Sequence, residues 1–378
     1  MKSTTKLICS IFLLVFGIPA LALAGSATLH WQANTESDLA GYRIYYGTSS
    51  RSYGPYIPVD KNTTSYTINN LTEGQTYYFA LTAVDTSGNE SGYSQEVSKS
   101  IPESDQQPSQ NEVIVLSSLP AEAGTIRIDH EWREIKFSRA YNDPIVIAGP
   151  LSYNGPNPCG VRIRNITSTG FQIRIQEWEY LDQWHKMEEV SYMVIEKGHY
   201  KLPDGSEIEA GKVTTNKVNP RGDFQKVLFT TSFKKTPVVI TTVQTMNGPQ
   251  MVITRERNLS TTGFELVMSE QENSDLWHVM ETIGYIAWEP GEGSVDGVSY
   301  DVKSVENVNN NWSNVSYGPF SSAPILIMGI QTTNGGDTAN IRFANKADRS
   351  VQIFLSEEIS LDNETHHVDE TVGYLSLR

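Results

Sequence analysis

The sequence predicts an all-β protein: one β-sandwich followed by three tandem six-stranded antiparallel β-sandwiches. Three observations carry this reading. A segment recurs three times without a gap, as PIVIAGPLSYNGPNPCGVRIRNITSTGFQIRIQE at 144–177, PVVITTVQTMNGPQMVITRERNLSTTGFELVMSE at 237–270 and PILIMGIQTTNGGDTANIRFANKADRSVQIFLSE at 324–357. One fold is therefore built three times in one chain. Apolar and polar residues alternate with period two in short runs, and no segment carries helical periodicity. Asn-Gly, Thr-Gly and Ser-rich stretches punctuate the runs as turns.

Residues 1–24 read as a secretory signal peptide. Lys2 and Lys6 precede an apolar run that ends in Ala22-Leu23-Ala24, a small-x-small pattern that places cleavage after Ala24. An extracellular or cell-surface location follows as an expectation, and no later stretch is long and apolar enough to insert in a membrane. Removing the two lysines moves the net charge from −15 to −17. So acidic a chain is a poor ligand for nucleic acid or anionic membranes. Beyond Cys9 in the leader, Cys159 is the one remaining cysteine, so no disulfide forms within the mature chain. It aligns with Val252 and Ala339, which marks it as a small buried apolar residue.

Residues 25–101 form the first module. Its strand signals are ATLHWQA, AGYRIYYG, TSYTI and QTYYFALTAVD, separated by polar clusters such as NTESD and DTSGNES. Trp31, Tyr42, Ile44, Leu71, Phe79, Leu81 and Ala83 are the predicted core. The stretch resembles a bacterial fibronectin type III domain, carried by Trp31, by GYRIYYG and by Leu71-Thr-Glu-Gly-Gln-Thr-Tyr77. The resemblance places Tyr77 at the family's tyrosine corner and implies a spacer or docking module. Residues 102–112, PESDQQPSQNE with its neighbours, read as a linker.

The three units that follow are assigned to 113–210, 211–295 and 296–378, with Gly124, Gly211 and Gly297 near their openings. The strands of the first are TIRI, REIKF, PIVIAGPL, GVRIRNI, GFQIRIQE and EVSYMVIE. Phe171, Ile173 and Ile175 alternate with Gln172, Arg174 and Gln176. Gly170 and Gly263 are available for positive φ in the turn before this strand.

The order of a proline, an apolar strand, a polar loop, an arginine-bearing strand, Thr-Gly-Phe and a closing aromatic strand resembles the H-type lectin domain. The carrying residues are Pro144-Ile-Val, Val161-Arg-Ile-Arg, Thr169-Gly170-Phe171, Trp178 and Val190-Ser-Tyr192, with Pro237-Val-Val, Thr262-Gly263-Phe264 and Ile283-Gly-Tyr285 in the second unit. The resemblance implies a six-stranded sandwich, assembly in threes and binding of N-acetylgalactosamine-like sugars between subunits. The family's sugar-contacting aromatic falls at Trp178, where the other units carry Gln271 and Glu358. Its binding arginine falls at Pro158, Met251 and Thr338. Since the family trimerises, three fused units are expected to imitate a trimer within one chain.

Polar residues recur through all three units: Asn154, Asn247 and Asn334; Arg162, Arg255 and Arg342; Asn165, Asn258 and Asn345; Glu177, Glu270 and Glu357. A His-x-x-Glu set follows, as His185 and Glu188, His278 and Glu281, His367 and Glu370. Structurally, the Asn-Gly pairs are turns, Arg162 pairs with Glu177 across a hairpin, and each His-Glu pair ties a loop to the last strand. Functionally, the same residues line a glycan site at the loop ends. Trp178, Tyr180, Trp184 and His185 crowd the first unit, Trp277 and His278 the second, His366 and His367 the third. Aromatic faces stack on sugar rings while amides, carboxylates and guanidiniums bind hydroxyls.

The predicted ligand contacts are thus Trp178, Tyr180, Trp184, His185, Glu188, Arg162, Trp277, His278, Glu281, Arg255, His367, Glu370 and Arg342. No cofactor and no metal are expected, since His and Glu three apart on a strand face opposite sides. Glu188-Glu189 is a poor acid–base couple for the same reason. Phosphate-loop, nucleophile-elbow and Cys-x-x-Cys motifs are missing, and Arg221-Gly-Asp223 is a short chance match. The sequence therefore reads as a secreted, non-enzymatic, multivalent carbohydrate-binding or adhesion protein. Its expected partner is a glycan or polysaccharide. Self-assembly of the repeats into a surface fibre or matrix is the first alternative, and an accessory role in polysaccharide degradation the second.

Overall fold

The computed structural model describes residues 27–69, 71, 75–101, 113–219, 223–275, 277–361 and 365–378. The leader, the linker and Arg221 and Gly222 of the Arg-Gly-Asp match lie outside them. The chain divides into two units, residues 1–109 and 110–378, and every described element is a strand or a turn.

The first unit is a two-sheet sandwich. Leu39–Gly47 and Thr76–Asp85 pair at the centre of a four-stranded sheet, flanked by Ile57–Asp60 and Val97–Ser100. Ala27–His30 pairs with Ser65–Ile68 to form the facing layer. Trp31, Tyr42, Ile44, Leu71, Tyr77, Phe79, Leu81 and Ala83 fill the space between the layers, so the alternation in the sequence gives the buried set directly.

The second unit contains three copies of one sandwich. In the middle copy, Gly198–Lys201, Glu207–Thr215, Glu281–Trp288 and Val238–Val243 form one sheet in that order. Gln225–Leu228, Gly263–Ser269 and Ile253–Ser260 form the other. The first and third copies repeat this order. Each copy has the six expected strands plus a short leading one: Val113–Leu116, Gly198–Lys201 and Gly291–Val295.

The leading strands move the assigned boundaries. The break at 210/211 cuts the strand Glu207–Thr215, which pairs along its length with Glu281–Trp288, and the break at 295/296 cuts the hairpin joining Val295 to Val298. Gly124 and Gly211 are mid-strand residues facing Tyr192 and Tyr285. A Cβ on either would lie within 3 Å of the tyrosine ring, so close approach fixes these glycines. Gly297 is needed for another reason, because it takes φ +82 in a hairpin turn, and Lys303 faces Tyr374 in its copy. In the turn before the Phe171, Phe264 or Val351 strand, Asn165, Asn258 and Asn345 are left-handed at φ 52–53, and Gly263 also takes the expected positive φ, at 158. Gly170 is needed instead because a Cβ there would meet the Ile135 carbonyl.

The strand Pro144–Ser152 is buried almost throughout, without alternation, as is Ile325–Ile330. Such runs mark sheets covered on both faces. One face of each four-stranded sheet packs on its own three-stranded sheet. The other joins a common core drawn from all three copies, including Ile145, Ile147, Ile208, Ile240, Ile325 and Leu375. Each such side chain contributes about 1.5–3 kcal/mol on burial.

Backbone contacts continue the ring. Gln244 Nε2 donates to the Val146 carbonyl, Gln331 Nε2 to the Val239 carbonyl, and the Leu326 amide to Ser191 Oγ. Leu151 and Ser152 pair in parallel with Arg342 and Phe343, joining the first copy to the third. The three repeats close on themselves within one chain.

Candidate functional site

Arg162, Arg255 and Arg342 occupy equivalent strand positions, and all three are fully buried. Arg162 faces Arg174 across its own hairpin, so the expected Arg162–Glu177 pair does not form. Each arginine instead reaches the next copy. Arg342 Nη2 lies 2.8 Å from Glu188 Oε1, Arg255 pairs with Glu370, and Arg162 Nη2 lies 3.9 Å from Glu281 Oε1 while donating to the Gly248 carbonyl. First to second, second to third and third to first, the contacts run one way around the ring.

Behind each of these carboxylates stands the histidine. His185 Nε2 is 3.2 Å from Glu188 and its Nδ1 is 2.8 Å from Glu177. His278 repeats both distances with Glu281 and Glu270. His367 sits 3.5 Å from Glu370 and 2.9 Å from Glu357. The histidine belongs to the loop before the last strand, not to the strand, so it faces the glutamate three residues on. Every unit is a chain of four alternating charges, Arg–Glu–His–Glu, neutral when the imidazole is protonated. Each charge has an opposite neighbour, which offsets part of the cost of burying it, although Arg255 Nε, Glu177 Oε2 and Glu357 Oε2 are buried without a hydrogen-bond partner.

The Asn-Gly pairs complete it. The amides of Asn154 and Gly155 donate to Glu188 at 2.8–2.9 Å, and the Asn247 and Asn334 segments treat Glu281 and Glu370 alike. A Cβ at Gly248 would meet the His278 ring at 2.7 Å, so glycine is required where the loop crosses the imidazole. Cys159 lies in the core of the first copy and also contacts His185 Nε2 at 3.5 Å and Arg342 Nη1 at 3.3 Å.

Burial opposes protonation of His185, but its contacts with Cys159, Glu188 and Glu177 prevail and hold it at about 10. His278 and His367 are raised in the same sense by their flanking glutamates, again against burial. Burial also works against the Glu370 carboxylate, yet His367 and Arg255 bring it down to about 2.

This geometry corrects the expected glycan site. Arg162, Arg255, Arg342, His185, His278, His367, Glu188, Glu281, Glu370 and Trp178 are interior, and the charged groups among them face one another. They hold the ring shut and offer no surface to a sugar. Trp178 packs on Met251 and Ile253 of the next copy. Replacing it with alanine is expected to cost about 3–5 kcal/mol in denaturant unfolding. Trp184→Ala should stay within about 0.5 kcal/mol of the parent. At the surface, the structure leaves Trp184, Trp277 and Tyr180, exposed at 56%, 54% and 39%. Trp184 rests against His130, while His366 is exposed beside its buried neighbour. Among the described residues no group of three or more His, Cys, Asp and Glu side chains is arranged to hold a metal ion.

Two features escaped the sequence reading. Tyr153 of the first copy meets Trp312 and Phe354 of the third, with ring centroids 4.4–5.8 Å apart, while Tyr153 and Trp312 stay partly exposed. A cavity of about 90 Å³ is lined by equivalent segments of all three copies, among them Leu151, Val243 and Ile330. Glu256 faces it where the other copies carry Ile163 and Phe343. Burial pushes this carboxyl to about 7 against its hydrogen bond from Thr241 and the charge of Arg255. A lone acid within an otherwise apolar repeat position was the available signal.

Fold and site together define a tandem β-sandwich protein whose last three units interlock through buried charges. The first unit is a fibronectin type III domain: residues 23–100 match that family model. Halomucin of Haloquadratum walsbyi (strain DSM 16790 / HBSQ001) is 31% identical over 257 residues, which is 65% of this chain and 3% of halomucin. The chain therefore spans about 3% of the length of that relative. Solved structures with local likeness include chitinase ChiA74 from Bacillus thuringiensis, at 16% identity and TM-score 0.19 over 49% of this chain and 26% of that one. The FN1-FN3 domains of chicken CNTN1 follow at 12% identity and TM-score 0.18, over 75% of this chain and 92% of that one. At such TM-scores neither likeness assigns an activity.

Proposed function

We propose that this is an extracellular adhesion protein that binds carbohydrate without cleaving it, its closed triple head acting as an H-type-lectin-like pseudo-trimer. The observation that carries this is the set of exposed rings around the head: Trp184, Tyr180 and Trp277 in the loops, Tyr153 and Trp312 where the first and third copies meet. Exposed aromatic faces beside amide-rich loops suit the apolar faces of sugar rings. Several such faces on one rigid body raise weak single contacts through effective concentration. The fibronectin type III domain and the similarity to halomucin support an extracellular setting.

A structural role in a surface layer is the second reading. The match to 3% of a far larger chain favours it, since a module embedded in a long protein need only hold its neighbours.

A glycan array probed with the full chain separates the two. Saturable glycan binding that falls at least about tenfold in a Trp184→Ala, Trp277→Ala variant supports the first reading. Assembly that rises with protein concentration, with no glycan retained, would replace it by the second.

A further inference from the structure

On the outer face of the first copy, two arginines share one tryptophan. The guanidinium of Arg164 lies 3.9 Å from the Trp132 ring centroid and that of Arg174 lies 4.7 Å from it. The two sit diagonally on paired strands, because Arg162 faces Arg174 and Arg164 faces Gln172. Their side-chain partners are neutral: Arg164 Nε donates to Gln172 Oε1 at 2.9 Å, and Arg174 Nη2 to Gln176 Oε1 at 3.3 Å. Arg174 Nε is buried without a partner. Among the described residues no carboxylate comes within ion-pair distance of either guanidinium. Glu134 stands one strand beyond Gln172 in the same row, and Glu131 acts on Arg174 only through its distant charge.

The other copies differ at these positions. In the second, Arg257 stacks 3.5 Å from the Phe224 ring and pairs with Glu265 at 2.9 Å, while Val267 holds the place of Arg174. In the third, Ala344 and Phe354 replace both arginines, and Trp312 stacks on Phe354. The first copy thus exchanges the internal carboxylate of Glu265 for Gln172 and gains a second cation. Two neighbouring like charges in a protein of net charge −15 leave room for an anion from outside. Guanidinium forks match carboxylate and sulfate oxygens two at a time.

We propose that the Arg164–Trp132–Arg174 face binds the carboxylate or sulfate groups of an acidic polysaccharide. This rests on the carbohydrate-binding reading and narrows it to anionic polymers. The polymer takes the role that Glu265 plays internally in the second copy, presenting its oxygens to both forks. Gln176, which also donates to the Pro249 carbonyl, anchors the site beside the junction of the first two copies.

The test uses the full chain with alginate as the polyuronate, dextran sulfate as the sulfated polymer and plain dextran as the neutral one, at low and high sodium chloride. The expected result is retention on alginate, dextran sulfate or both, weakened by salt. The two acidic polymers distinguish carboxylate from sulfate. Arg164→Gln with Arg174→Gln should weaken binding at least about tenfold, while Arg257→Gln should leave it unchanged. Gln172→Glu, which restores the internal carboxylate, should weaken it alike without removing a stacked side chain. Acidic-polymer binding that survives both changes overturns the assignment. Binding to neutral dextran or array glycans alone overturns it too, yet leaves the carbohydrate reading standing, whereas binding to nothing sinks both.

Discussion

Replacing Arg342 with methionine is expected to lower the stability of the three-repeat unit by about 3–5 kcal/mol. The guanidinium donates to the carbonyls of Ser152, Gly155 and Asn157 as well as to Glu188. Its loss takes a cation from the buried Glu188 carboxylate, which keeps His185 and the Asn154 and Gly155 amides. It also removes a donor from several buried carbonyls at once, where an unsatisfied group carries its desolvation cost. A unit of this size shifts by about 2–4 °C per kcal/mol, so the thermal midpoint should fall by roughly 10 °C. Arg162→Met should cost less. Arg162 Nε and Nη1 already lack partners and its glutamate is 3.9 Å away, so less is forfeited. Equal losses at the two positions would mean that the junctions are not graded as their geometry indicates.

Stability should also depend on pH in a direction set by the histidines. Each has a folded pKa above its ordinary value, so the stabilisation is full below about 6.5 and disappears as pH rises through the folded value. For His185 that window runs from about 6.5 to about 10. Glu370 acts in the opposite sense. Its folded pKa of about 2 lies below the usual 4.5, so its contribution is present above 4.5 and lost as pH falls toward 2. Urea midpoints measured from pH 3 to 11 should therefore show a plateau at weakly acidic pH, a gradual alkaline decline and an acid collapse. In His185→Gln the alkaline decline should flatten. A parent whose stability rises from pH 6.5 to 10 would show that these imidazoles are buried neutral.

Strands covered on one face could be read from alternation because their buried positions are consecutive in period two, as with Phe171, Ile173 and Ile175, whereas Pro144–Ser152 stood out as an unbroken apolar run. The leading strands such as Val113–Leu116 could not. Four residues carry too little pattern to mark an edge. The recurring polar positions were visible as a set, since three aligned copies make Arg162, Glu177, His185 and Glu188 stand out against a varying background. Their wiring was not. Residues on consecutive strands look nearest in a sequence, yet Arg342 meets a glutamate 154 positions earlier. Ring closure is a property of how copies pack, and a single repeat does not encode it locally. For the same reason Trp178 looked like a ligand contact: an aromatic beside a polar loop reads as exposed until a second copy covers it.

Closure of the ring depends on the first and third repeats meeting through Glu188 and Arg342. A double-mutant cycle with Glu188→Gln and Arg342→Met, followed by urea unfolding at pH 7, isolates that contact. The predicted coupling energy is about 1.5 kcal/mol or more. Losses that add to within about 0.5 kcal/mol would show that the ring is open.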